Sequence, residues 1–158
     1  MGIECTSSAA ELTAYLNNAA RILEEEIFRS LAYLGEQCVR MVRDRDGLAS
    51  WFDQTDNLRS SIGYAIFGEG RKVIQSAFEP VMNGALGTQA GQQMIDRLAS
   101  KFSETYALVV VAGMDYADYV EARDNKDVLA STELWAKSKI DEYLRMAKNR
   151  AQTRIAAL

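Results

Sequence analysis

The sequence predicts an α+β fold: a long N-terminal helix and a C-terminal helix packed on a small, mainly antiparallel β-sheet. Three observations predict it. Apolar residues recur at three- and four-residue spacing near both ends of the chain, as helices with one buried face require. Between these regions, alternation and a β-branched run mark strands. The regular strand–helix–strand rhythm of a parallel sheet is missing. With 158 residues, 48% of them apolar and 25% charged, the chain is expected to form one domain over 1–158. Its core should need neither metal nor disulfide.

The first helix is expected over 8–44. Ser8-Ala-Ala-Glu11 forms a capping box, in which two orphan amides at the helix end are satisfied reciprocally. The stripe then runs through Leu12, Leu16, Ala19, Leu23, Ile27, Leu31, Leu34, Cys38 and Met41. Glu24, Glu25, Glu26 and Arg29 border it and are expected in water. A helix this long exceeds what a small domain can cover. Either it bends, near Asn17-Asn18 or Gly35, or part of its stripe meets another subunit. "RDRDGLAS" ends it with charge and glycine.

Trp51 or Phe52 then reads as a core anchor, and Leu58-Arg59 as the entry to a strand. Ile62, Tyr64 and Ile66 alternate with Gly63, Ala65 and Phe67. Gly68-Glu69-Gly70 turns the chain into a second, antiparallel strand over 73–78, giving a hairpin. The hairpin, an inserted helix and a central strand occupy 61–112. The inserted helix is expected over 88–103, with Ala90, Met94, Leu98 and Phe102 inward. The central strand, over 108–111, is β-branched and reads as buried. "NKDVL" suggests a short edge strand. A last helix over 131–158 would turn Trp135 or Ala136, Ile140, Tyr143, Leu144, Ala147, Ala151 and Ile155 inward.

Composition limits the chemistry. The chain has no histidine, which removes Ser-His-Asp and Cys-His catalysis and the usual zinc sites. Cys5 and Cys38 lack metal-ligand spacing and, with a helix between them, are too far apart for a disulfide. "DRDGLASWFDQT" lacks the ligands of a calcium loop, because Thr55 stands where a bidentate Glu is needed. "GEG" joins two strands, whereas phosphate loops open onto a helix. No cofactor is expected. A net charge of −4 argues against a broad nucleic-acid surface. No apolar run has membrane-spanning length and the start does not read as a signal peptide. An intracellular or virion-internal location is expected.

Two charged groups remain. In "AGMDYADYVEARD" a helical reading places Tyr116, Ala117 and Val120 on one arc and most of the acids on the other. A solvated face is the favoured reading. The alternatives are a partner-facing acidic patch, or a metal-dependent hydrolase using Asp115, Asp118, Glu121 and Asp124. At the chain end, Arg145, Lys148, Arg150 and Arg154 form a basic strip. It is either a solvated helix end or a face for DNA or an acidic neighbour.

Two motifs carry a resemblance. "TDNLRSSIGY" resembles the "TGxLRxSI" motif of the tail-completion or neck proteins of long-tailed phages. This is the family of minor tail or head–tail joining components related to tail protein Z of lambda-type phages. "YADYVE", Tyr116 to Glu121, is similar to that family's later "YAxYVExG". The two stand in the family's order, between a long first helix and a final helix. Trp51, Leu58, Arg59, Ser61, Ile62, Tyr116, Ala117, Tyr119, Val120 and Glu121 are the residues involved. Asn57, Ala122, Arg123 and the insert over 80–103 depart from the pattern. The resemblance implies a structural virion protein in the neck or tail, present in the host cytoplasm during assembly. It would form a homo-oligomeric ring against connector or head-completion proteins and tail-terminator or tail-tube proteins. DNA would be passing cargo only, with no membrane and no catalysis. A helical adaptor working through its first helix is the competing reading. Arg59 could pair within the fold, with Glu121 for example, or across a subunit boundary.

Overall fold

The computed structural model describes residues 8–45, 54–102, 106–122 and 126–158. Trp51, Phe52, Cys5, Asp46, Gly47, Arg123 and Asp124 lie outside them. The elements are α1 (Ala9–Arg43), α2 (Asn57–Ser60), β1 (Ile62–Gly68), β2 (Arg71–Gln75), α3 (Ala85–Leu98), β3 (Ala107–Ala112), α4 (Ala117–Ala122) and α5 (Ala130–Ile155). A 3₁₀ turn, Ala99–Lys101, follows α3. The α+β expectation is met: two long helices accompany a three-stranded antiparallel sheet of order β2-β1-β3.

Helix α1 begins where the sequence places it. The Ser8 hydroxyl accepts the Glu11 amide at 3.2 Å, and the Glu11 carboxylate accepts the Ser8 amide at 2.8 Å. At the other end Arg40 and Arg43 complement the helix dipole. Ile22, Leu31, Leu34, Cys38, Val39 and Val42 are buried. Burial also pushes the Cys38 thiol up to about 11, so it stays protonated and inert. Gly35 is buried against the ring of Tyr64 of β1. A Cβ there would lie 2.6 Å from the Tyr64 ring. That ring is buried, and burial, with help from Glu36, raises its hydroxyl to about 12. Gly35→Ala is therefore expected to cost about 1–3 kcal/mol by overpacking. The check is a lower urea midpoint at an unchanged slope.

The sheet corrects the assignment of the central strand. The centre is β1, and every one of its residues is buried. Ile62, Tyr64 and Ile66 join the α1-side core. Ala65 and Phe67 join a second core, with Ile95 of α3 and Val111. The predicted alternation is real, but both of its faces are covered. Strand β3, expected at the centre, lies at an edge and is buried only at Val111 and Ala112. Its β-branched run reports two apolar faces, and that is equally true of an edge strand covered by helices. Strand β2 covers 71–75 rather than 73–78, after a turn in which Glu69 and Gly70 both take positive φ.

Three further expectations shift. Leu58-Arg59 does not enter a strand but lies in the short helix α2, after Asp56 in the left-handed conformation. The inserted helix starts three residues earlier than predicted and packs through Gly87, Gly91 and Ile95. Met94, Leu98 and Phe102 only flank that contact. The reason is backbone proximity: a Cβ on Gly87 would lie 1.9 Å from the Asn57 carbonyl oxygen. Finally, residues 126–129 of "NKDVL" form no strand and lead directly into α5.

Candidate interaction surfaces

Helices α1 and α5 run antiparallel, with three contacts fixing the register. Near the C-terminus of α1, the Arg45 guanidinium donates to the hydroxyls of Ser131 and Thr132, each at 2.9 Å. Midway, the rings of Tyr33 and Tyr143 lie 5.6 Å apart. Towards the other end, Glu26 meets Arg150 and Arg154. In this register α5 ends at Ile155, opposite the turn of α1 that holds Ile22.

The Glu26 contact corrects two expectations. Glu26 is 0% exposed, not wet. Its carboxylate accepts from Arg150 Nε and from Arg154 Nη1, both at 2.8 Å, and more distantly from Arg29. Arg150 also donates to Ser30 Oγ at 2.6 Å, and Arg154 to Glu25 Oε2 at 2.8 Å. Arg150 and Arg154 are therefore clamps between the two helices, not a strip turned to a partner. Arg145 and Lys148 remain exposed. The hydrogen bond from Arg150 outweighs desolvation and, with Arg154, holds the Glu26 carboxyl below its ordinary value.

The motif residues have structural work. Leu58, Ser61 and Ile62 are buried. The Ser61 hydroxyl donates to the Leu58 carbonyl at 2.7 Å and accepts the Gly113 amide at 3.1 Å, tying α2 to the end of β3. The Ser60 hydroxyl accepts the Val81 amide, and the Asn57 side-chain carbonyl accepts the Gly87 amide. Arg59 is half-buried on α2. In the second motif Ala117 is buried and Val120 half-buried, while Tyr119 is exposed. Tyr116, expected inward, is 37% exposed because it precedes the first turn of α4.

Asp115 and Asp118 face water, and among the described residues no three acids or thiols gather as a metal cradle. Glu121 does something else. One of its carboxylate oxygens accepts the amides of Leu129, at 3.2 Å, and Ala130, at 2.7 Å. Asp127 accepts the Ser131 amide at 3.0 Å and pairs with Arg45 at 2.6 Å. Burial pushes the Asp127 carboxyl up, but Ser131 and Arg45 outweigh it and hold it low. Glu121 and Asp127 thus cap α5, whose own N-cap residue, Leu129, has no side-chain acceptor. Glu121→Ala is expected to cost about 1–2 kcal/mol. Glu121→Gln, which keeps an acceptor oxygen, should lose only the charge–dipole part, about 0.3–1 kcal/mol. Thermal midpoints of the two variants check this.

No protein-family model matches the chain, and comparison with curated proteins and with solved structures finds no match.

Two uncovered apolar surfaces involve α1. The first is the start of α1. Leu12, Tyr15, Leu16 and Leu23 are 52, 45, 57 and 41% exposed. The sequence places Leu12, Leu16 and Leu23 on the inward stripe, but α5 ends before it can cover Leu12 and Leu16. The second is a groove of about 590 Å³, floored by Leu31 and Leu34 of α1. Leu108 and Val110 of β3 form one wall and Ile140 and Leu144 of α5 the other. Periodicity alone could find the stripe but not whether it was covered. The groove has no sequence signal, because its lining comes from three distant elements. No helix among the described residues is long and apolar enough to cross a membrane.

Proposed function

We propose that this protein is a structural subunit of a phage head–tail junction, forming a homo-oligomeric ring that completes or joins the tail to the connector. The carrying observation is the exposed apolar stripe at the start of α1. A helix face that is apolar and uncovered in the isolated chain fits a subunit whose covering comes from assembly. The ordered pair "TDNLRSSIGY" and "YADYVE" supports the virion context. Net charge of −4 suits a channel through which DNA must slide without sticking. In this reading the motif residues hold the fold together and perform no chemistry.

Deleting the gene in its phage tests the reading. The expected result is DNA-filled heads and tails that fail to join, or joined particles that leak DNA. Infectious, intact particles without the protein would exclude it. The adaptor reading rests on the same stripe. Removing residues 1–20 separates the two: an adaptor loses one partner, whereas a ring subunit stops self-assembling. A cut at residue 40 would not serve, because Ile22, Leu31, Leu34 and Val39 belong to the core.

A further inference from the structure

We propose that the first turns of α1 in one copy seat in the groove between α1, β3 and α5 of the next copy, so that the chains join head to tail. The inference rests on the ring-subunit reading and names the contact that would build the ring.

Four observations support a second copy as the occupant. The arm is unusually free of charge: residues 12–20 contain no charged side chain, although the chain as a whole is 25% charged. A helix segment that stays in water normally carries charge opposite its apolar stripe. The arm also presents a row suited to a groove, Leu12, Tyr15, Leu16 and Leu23, at helical spacing. The groove offers matching apolar walls.

The fourth observation excludes the chain's own arm. Arm and groove floor lie on one continuous helix. Leu16 and Leu31 are fifteen residues apart, or about 22 Å along the axis. The arm cannot fold back without breaking α1, so the two surfaces can meet only between copies. Because the surfaces differ, the contact is heterologous. Made once per pair, it repeats into a closed ring or an open filament; a wild-type assembly that stops at two copies, the reciprocal two-fold exchange of arms, overturns the head-to-tail form.

The experiment uses the full chain with one substitution on each surface, followed by light scattering behind size exclusion over a concentration series. Leu16→Glu spoils the arm. Leu144→Glu spoils the groove at a residue already 38% exposed. The wild-type protein is expected to assemble, and each variant alone to remain monomeric with an unchanged far-UV spectrum. Mixed in equal amounts, the variants should form a one-to-one heterodimer and nothing larger. In that pair the Leu144→Glu copy supplies an intact arm and the Leu16→Glu copy an intact groove. Growth then stops, because the remaining arm and groove are both spoiled. Should Leu144→Glu lose helical signal, Leu144→Ser takes its place, since it removes apolar contact without introducing a charge.

A monomeric wild type overturns the proposal. So does wild-type assembly by Leu144→Glu, which would mean that arms pair with arms, or a mixture that stays monomeric, which would mean that the two surfaces serve different partners. A ring that survives both substitutions overturns this contact but leaves the neck reading standing. Particles that mature without the gene overturn the neck reading but leave this contact standing.

Discussion

Replacing Arg150 and Arg154 together with alanine is expected to destabilise the fold by about 3 kcal/mol. The two arginines are the close partners of Glu26, whose side chain is almost wholly buried. Without them the carboxylate keeps only the 3.5 Å contact to Arg29. Orphaning a buried charge typically costs about 3–5 kcal/mol. The lower end applies here, because removing two long side chains admits water. Each single variant should cost less, since one arginine stays.

The pH dependence separates this effect from lost packing. In the wild type the Glu26 carboxyl is held below its unfolded value, chiefly by Arg150. Its contribution is therefore complete above the unfolded value of about 4.3 and is lost as pH falls through the folded value. In the double variant burial dominates and raises the folded value above the unfolded one. Its penalty is then greatest at neutral pH and shrinks on acidification. Urea midpoints at pH 7 and pH 4 should converge for the two proteins. A constant gap would mean that the arginines contribute by packing alone.

Leu58→Asp is expected to leave the chain largely unfolded at pH 7. Leu58 is 2% exposed and belongs to the core that includes Val42, Ile62 and Val128. Losing a buried leucine costs about 2–5 kcal/mol. A carboxyl without a partner adds several more, or else takes up a proton. Together these approach the net stability of a typical domain, about 5–15 kcal/mol. Leu58→Ala should pay only the first part and remain folded. Acid should partly rescue Leu58→Asp, because the folded-state carboxyl would be raised and its penalty falls as pH falls. Circular dichroism of both variants at pH 7 and pH 4.5 reads the difference.

Some of this was legible in the sequence because it was local. The Ser8–Glu11 box fixed the start of α1, since both partners lie within one turn. The Gly68–Gly70 turn fixed the hairpin, and two-residue alternation fixed the faces of β1. The cap on α5 was not legible: Glu121 reaches amides eight and nine residues away. The packing face of α3 was misjudged, because Gly87 and Gly91 carry no hydrophobic signal and yet admit the Asn57 backbone and the Phe78 ring respectively.

The sequence by itself determined the periods, and the cap and stripe of α1, because these depend on neighbours within about four residues. Tertiary structure decided what each stripe faces. Along α1, Ile22 and Leu34 meet the rest of the fold while Leu12 and Leu16 do not, because α5 ends at Ile155. It also turned Glu26 from a surface charge into a buried one: two arginines from the far end of the chain lie opposite it, and only their guanidinium groups make a carboxylate tolerable there.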